Sequence, residues 1–204
     1  GEDARGVYVA KSSDHGKTFA REVSINPLPG TCGCCGLDAF LDRDGRLLTL
    51  YRGVRDAQRD MMLLVGNQPA AAKSLVVGPW EIRTCPMSAA TFAQTRGGIA
   101  GAWEAKGNIY LGWFGTGKPS VKNSTLIHRQ AHQRHPSIAA NADGSMLVAW
   151  SENTGWKKGG GLAWHIYDAE AKPTNQQGQR PHGVPKWSFT AAVAHPDGSF
   201  EILH

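Results

Sequence analysis

The residues best suited to chemistry are four cysteines. Cys32, Cys34 and Cys35 stand together in PGTCGCCG, and Cys85 follows in TCPMS. Four thiols allow two disulfides in three pairings, and the adjacent pair Cys34–Cys35 would close only with strain. The same four could hold zinc or copper(I), the ions thiolates favour, although C-x-C-C is not the two-residue spacing of a zinc knuckle. Spacing alone leaves both readings open.

A second concentration follows Tyr51, in YRGVRDAQRD, with Arg52, Arg55, Asp56, Arg59 and Asp60. Guanidinium groups grip carboxylates through paired hydrogen bonds, and an adjacent acid could deliver a proton. The plainer reading is a salt-bridged loop between two strands. Glu104 and Glu152 follow strand ends, and neither has a partner evident in the sequence. His128, His132 and His135 are spaced four then three, which on a helix would give one metal-facing side. Their segment, IHRQAHQRHP, runs into a proline before a strand, so surface histidines are expected instead. Among seven tryptophans, Trp156 lies in the basic, glycine-rich GWKKGGG beside Lys157 and Lys158. It is the best candidate for an exposed anchor that meets an acidic partner.

The elements that must position these residues are β-hairpins. A turn glycine, an aliphatic strand and a ring six positions on recur in LDRDGRLLTLY, EAKGNIYLGW, NADGSMLVAW and HPDGSFEILH. The glycines are Gly45, Gly107, Gly144 and Gly198; the rings are Tyr51, Trp113, Trp150 and His204. Asp-Gly ahead of such a run marks a hairpin. Residues two apart share a strand face, so Trp113 and Trp150 are expected in a core. The strands fall at 38–52 with 61–65, at 99–114 with 125–131, at 136–152 with 161–168, and at 189–204. The N-terminus adds strands near 7–11 and 20–25. The expected fold is all-β, in repeated antiparallel sheets arranged as a propeller of four-stranded blades.

Between the two N-terminal strands lies Ser12-Ser13-Asp14-His15-Gly16-Lys17-Thr18-Phe19. This S-x-D-x-G-x-T-[WF] pattern resembles the Asp-box of the sialidase-like propeller superfamily, with Phe19 where tryptophan is usual. Ser12, Asp14, Gly16, Thr18 and Phe19 are its structural positions. Asp14 is expected to take backbone N–H bonds across the turn, and the ring of Phe19 to cover the hairpin. SENTGW, from Ser151, is a degenerate second copy. The C-x-C-C element, Cys85-Pro86 and His135-Pro136 resemble features of uncharacterised bacterial exported sialidase-like proteins. The resemblance implies one propeller domain over 1–204, with the N- and C-terminal strands sharing a blade. It is either a compact four-bladed ring or part of a six-bladed one lacking N-terminal blades. A periplasmic or secreted location is implied, which favours disulfides over metal at Cys32, Cys34, Cys35 and Cys85.

A sialidase would need three arginines for its substrate carboxylate, a tyrosine nucleophile with a glutamate partner, and an aspartic acid. The F/Y-R-I-P motif is absent; Tyr51-Arg52-Gly53-Val54 lacks the Ile-Pro. The expected function is therefore a non-catalytic binding or scaffolding subunit of an extracytoplasmic protein complex, with carbohydrate as another ligand class. The alternatives are a sialidase-type glycosidase using Arg52, Arg55, Arg59 and Asp56 or Asp60, and a thiolate metal protein. No cofactor is expected.

Bulk properties agree. The chain has 204 residues, 41% hydrophobic and 19% charged, with 25 glycines and 11 prolines, a balance suited to turn-rich β-structure rather than disorder. The net charge of +5 is scattered rather than gathered on one segment, which argues against nucleic acid. No apolar run is long enough to span a membrane. No phosphate loop, dinucleotide fingerprint or Gly-x-Ser-x-Gly elbow is present. The start at Gly1 without methionine suggests a processed or trimmed product.

Overall fold

The computed structural model describes residues 1–27, 29–68, 71–114, 121–127 and 132–204, with backbone alone over Val121–Leu126. The chain forms two compact units, Gly1–Met87 and Ser88–His204. Apart from a short 3-10 turn at Glu2–Ala4, every regular element described is a β-strand.

The first unit contains β1 (Tyr8–Val9), β2 (Val23–Ser24), β3 (Asp38–Leu41), β4 (Leu47–Arg52), β5 (Met61–Val65) and β6 (Lys73–Gly78). β1 pairs with β2, and β3-β4-β5-β6 form an antiparallel meander in chain order. Both faces of β4 are covered: Leu48, Leu50 and Tyr51 are all buried. Val7, Ile25, Tyr51 and Leu64 make one core cluster.

The second unit contains β7 (Ala90–Thr95), β8 (Gly98–Ala105), β9 (Asn108–Phe114), β10 (Val121–Leu126), β11 (Gln133–Ala140), β12 (Met146–Glu152), β13 (Gly160–Tyr167), β14 (Pro173–Val184), β15 (Ala191–Ala194) and β16 (Phe200–Leu203). It holds two four-stranded meanders, β7 to β10 and β11 to β14, and the pair β15–β16. The first strand of the second meander, β11, lies against β7 and β8 of the first. Small residues make that approach feasible: Ala100 and Ala102 pack with Ile138, Met146, Val148 and Trp150.

The turns fold as their sequences dictate. Gly45, Gly107, Gly144 and Gly198 all take positive φ, between 71° and 95°, a region a Cβ disfavours. The aspartate of each Asp-Gly pair at Asp143 and Asp197 accepts the N–H of the serine two residues on, at 2.8 and 2.9 Å. Hairpin register follows directly, with Leu41 opposite Leu47, Ala140 opposite Met146 and Ala194 opposite Phe200.

One copy of the repeat is displaced from its expected position. Gly107 turns the chain between β8 and β9, the second and third strands of its sheet, whereas Gly45 and Gly144 lead from first strand to second. The structural counterpart is Gly97, in TRGGIAGAW, which leads from β7 into β8 and places Trp103 six positions on. The turn glycines are then 52, 47 and 54 residues apart, close to even. Trp103 and Trp150 are fully buried, as Tyr51 nearly is, but Trp113 is half-buried and His204 exposed. Strand β7 carries little signal in the sequence because Arg96-Gly97 lacks the Asp-Gly signature, and β14 because its residues are mostly polar.

Candidate functional site

The cysteines converge. Thr31 bridges to Gly53 at the end of β4, and Cys32 N–H donates to the Arg52 carbonyl at 2.9 Å, so the C-x-C-C turn is clamped to the sheet. Gly33 allows the Arg5 guanidinium to lie over the turn: a Cβ there would meet Arg5 Nη1 at 2.4 Å. Cys85 arrives from the segment after β6. Cys34 and Cys85 are joined as a disulfide, and Cys32 and Cys35 stand outside that bond. The sulfurs of Cys32, Cys34 and Cys85 nevertheless lie within 4.8 Å of one another, and Cys35 adjoins two of them. Cys32 Sγ lies 2.9 Å from Cys35, 3.3 Å from Cys85 and 3.5 Å from Cys34, and Cys35 lies 3.9 Å from Cys85. Cys32 is buried, Cys35 and Cys85 are half-buried, and Cys34 is exposed.

The arginine-rich segment is divided between two environments. Arg52 is buried, its guanidinium 5.2 Å from the Trp80 ring centroid and donating to the Arg59 carbonyl at 2.9 Å. Arg59 is buried too and pairs with Glu2 at 2.8 Å; that hydrogen bond is the main reason the Glu2 carboxyl is held below its ordinary pKa. Asp60 accepts the Trp80 N–H at 2.9 Å. Arg55, Asp56 and Gln58 form a tight turn, closed by reciprocal Arg55–Gln58 backbone bonds, with Asp56 at φ 52°. A cavity of about 360 Å³ is lined by Tyr51, Arg55, Gln58, Asp60, Met62 and Ser74, among others. It thus gathers Arg55 and Asp60 with Tyr51, whose hydroxyl is pushed above its usual pKa by burial. Arg52, Arg59 and Asp56 do not line it.

The Asp-box folds as an internally bonded turn. Asp14 Oδ1 accepts from Thr18 N–H at 2.9 Å and from Ser12 Oγ at 2.7 Å; Thr18 Oγ1 donates to Oδ2 at 2.6 Å; Gly16 N–H donates to Ser12 Oγ at 2.8 Å. These bonds, led by the Thr18 hydroxyl, pull the Asp14 carboxyl down to about 2. Phe19 does not cover the hairpin; its side chain is exposed.

In the second unit the histidines separate. His128 lies outside the described residues, and His132 is exposed. His135 is buried rather than at the surface, its ring edge-on to Phe189 at 4.6 Å. The two glutamates that looked isolated in sequence have neighbours: Glu104 lies 3.7 Å from Arg134, and Glu152 accepts the Trp150 indole N–H at 3.0 Å. Gln133 Oε1 accepts the Ile109 N–H at 2.9 Å and joins the two meanders. All of these side chains are buried or nearly so.

Trp156 and Lys157 occupy the tip of a tight turn closed by Gly155 and Lys158, with Lys157 at φ 59°. The Trp156 ring meets Trp187 edge-on, centroids 4.6 Å apart. Both rings are largely in solvent, at 66% and 58% exposure, and Phe189 nearby in sequence is 59% exposed. Trp187 also has positive φ, 64°, unusual for a bulky residue. The signal for Trp187 in the sequence is Lys186-Trp187 within a Pro-Lys-Trp turn, chemically like Gly155-Trp156-Lys157.

No protein-family model and no curated protein matches the chain. Among solved structures, an α-L-arabinanase from Penicillium chrysogenum, determined with arabinobiose, is similar over 97% of this chain and 67% of its own, with a TM-score of 0.61 and 10% identity. That enzyme is a β-propeller glycoside hydrolase. At this identity the likeness concerns the fold: a propeller-like all-β architecture with antiparallel sheets of two to four strands. Among the described residues no helix is long and apolar enough to cross a membrane.

Proposed function

We propose that the chain is a non-catalytic, exported binding module that docks a protein partner through Trp156 and Trp187. The observation that carries this reading is the exposed tryptophan pair. Two indoles in edge-to-face contact are rigid and amphipathic, so they bury much apolar area on docking at low entropic cost. Lys157, Lys158 and Lys186 flank them in the sequence, which suits an acidic partner surface and fast, salt-sensitive association. The arginines and Asp60 favour the same reading from the opposite side. Two of the three arginines are buried in contacts within their own unit.

The test is affinity capture from the extracytoplasmic fraction of the native host, comparing wild type with Trp156→Ala/Trp187→Ala. The double variant should fold normally and lose its partner, and the wild-type complex should weaken as salt rises. An unchanged set of captured proteins would refute the assignment.

A second reading is a glycosidase, favoured by the cavity that joins Tyr51, Arg55 and Asp60 and by likeness to a glycoside hydrolase. Turnover of a fluorogenic sialoside or arabinoside, lost in Asp60→Asn, would establish it in place of the binding module.

A further inference from the structure

We propose that Cys32, Cys34, Cys35 and Cys85 form a tetrathiolate site for a single zinc(II) ion, which the Cys34–Cys85 disulfide closes when the site is oxidised. The inference does not depend on the tryptophan surface.

The clustering of Cys32, Cys34 and Cys85, with Cys35 beside two of them, is the first argument. Two independent disulfides would need only pairwise contacts, yet Cys32 approaches Cys34, Cys35 and Cys85 alike, all within 3.5 Å. Zinc–sulfur bonds of about 2.3 Å place tetrahedral sulfurs roughly 3.8 Å apart. Cys32, Cys34 and Cys85 therefore need to spread by only about an ångström to admit the ion, and Cys35, already 3.9 Å from Cys85, closes the fourth corner by moving toward Cys34.

Backbone spacing is the second argument. The Cα atoms of Cys34 and Cys85 are 7.3 Å apart, wider than the about 4.4–6.8 Å of most disulfide-bonded pairs. An ion between the two sulfurs fits that separation. Cys32 and Cys35 also have two residues between them, the C-x-x-C interval of zinc sites, hidden in the sequence because Cys34 falls inside it.

The surroundings suit thiolates. Met87 N–H points at Cys85 Sγ, at 3.3 Å, the outer-shell bond that steadies a metal-bound sulfur. The guanidinium of Arg5 lies over Gly33 and offsets the negative charge of four thiolates around a divalent cation. The exposed Cys34 leaves one side open for the ion to approach.

The balance is simple. A dithiol reductant opens Cys34–Cys85 by exchange, supplies two electrons and two protons, and itself becomes a disulfide. The four thiols then bind one zinc(II) and release four protons.

The experiment starts from the full chain, reduced with a dithiol under argon, desalted and titrated with cobalt(II) as the spectroscopic probe. The expected result is one cobalt per chain, with thiolate-to-cobalt charge transfer and the intense d–d bands of a tetrahedral site. Zinc(II) should bleach both at one equivalent. In a parallel arm that needs no variant, zinc(II) should protect four thiols from alkylation in the wild type. Cys32→Ser and Cys35→Ser should weaken binding at least tenfold; loss of an outer-shell partner alone costs about 10–100-fold. Far-UV circular dichroism verifies that each variant folds. Absence of cobalt bands in the reduced wild type overturns the site. Bands unchanged in both serine variants do so as well. Only two alkylatable thiols in the reduced, folded chain would likewise overturn it. Copper(I) bound by three thiols with no zinc binding overturns the assignment of the ion.

Discussion

Trp103 and Trp113 offer a direct test of which hairpin repeats which. The corrected register makes Trp103, on β8, the counterpart of Tyr51 and Trp150. Trp103 has no exposed surface and packs against Tyr110 and Phe114, centroids 6.2 and 6.3 Å away. Trp113 is half-buried at the margin of the cluster between the two meanders. Truncating a fully buried tryptophan to alanine costs about 3–5 kcal/mol through lost transfer energy and the cavity left behind. A half-buried one forfeits about 1–2 kcal/mol. With a urea dependence near the upper end for domains, about 3 kcal/mol per molar, Trp103→Ala should lower the midpoint by about 1–2 M and Trp113→Ala by about 0.5 M. Far-UV circular dichroism should be the probe, because both substitutions alter fluorescence. A conservative pair sharpens the test. The Trp103 indole nitrogen is buried without a hydrogen-bond partner, so Trp103→Phe forfeits packing alone and should cost about 1 kcal/mol less than the matching change at Trp150. Trp150 donates to the buried Glu152, so Trp150→Phe should cost about 1–3 kcal/mol. A larger loss for Trp113→Ala than for Trp103→Ala would refute the register and the equivalence of β4, β8 and β12.

Other perturbations follow from single contacts. Gln133→Ala strips the acceptor from the Ile109 N–H in a fully buried setting and should cost about 1–3 kcal/mol, read as a lower unfolding midpoint; a cost near zero would mean the amide finds another partner. Asp42 is buried and accepts from Arg46 Nε at 2.7 Å and from two backbone N–H groups, so Asp42→Ala should destabilise by about 1.5–3 kcal/mol. Asp14, depressed to about 2 in the folded turn, contributes stability that is complete above the ordinary carboxylate pKa and lost as pH falls through about 2. Carboxyl NMR shifts of Asp14 and Thr18 amide exchange should show this, and a normal midpoint near 4 would contradict the bonding. Tyr167, raised to about 12 by burial, stabilises fully below the unfolded value and progressively less as pH climbs through about 12, which a tyrosinate absorbance titration checks.

The fold was legible where turn chemistry is written in residues. Asp-Gly at Gly45, Gly144 and Gly198 specified three hairpins, and β4, β5, β8, β9, β12 and β13 were visible as apolar runs. The strands without such marks were missed. β7 starts in the polar–apolar mixture ATFAQT, and β14 carries TNQQGQRPHG; a strand with one exposed face and no aliphatic core leaves little pattern to read. The sites were harder. Proximity in sequence suggested that Arg52, Arg55 and Arg59 act together, yet alternation along β4 and the turn after it sends Arg52 and Arg59 inward to Trp80 and Glu2 while Arg55 stays outside. Convergence of Cys85 with Cys32, 53 residues away, depends on the path after β6, which no local pattern encodes. Trp187 joins Trp156 across 31 residues for the same reason.

Two loops occupy the same place in two sheets, between second and third strands: 53–60 after β4, and 153–159 after β12. Both close on a four-residue turn, Arg55 to Gln58 and Gly155 to Lys158, so the backbone solution is shared and the difference lies in the side chains. In the first, the charges are absorbed: Arg52 under Trp80, Arg59 on Glu2, Asp60 on the Trp80 amide. Those contacts fix the loop and leave few groups free to meet a ligand. In the second, the tip carries an indole that no core receives, and Trp187 rather than the sheet supplies its neighbour. A repeat architecture frees one loop for recognition when its sister loops hold the fold. The contrast makes a prediction of its own. Exchanging residues 55–58 for the Gly-Trp-Lys-Lys of 155–158 removes no contact of Arg52, Arg59 or Asp60, because the exchanged side chains are not the ones that hold the loop. Stability should change by less than about 1 kcal/mol. The reverse exchange should abolish partner capture at equal stability. A collapse of stability in the first chimera would show that the turn residues themselves, and not the inward charges around them, secure the loop.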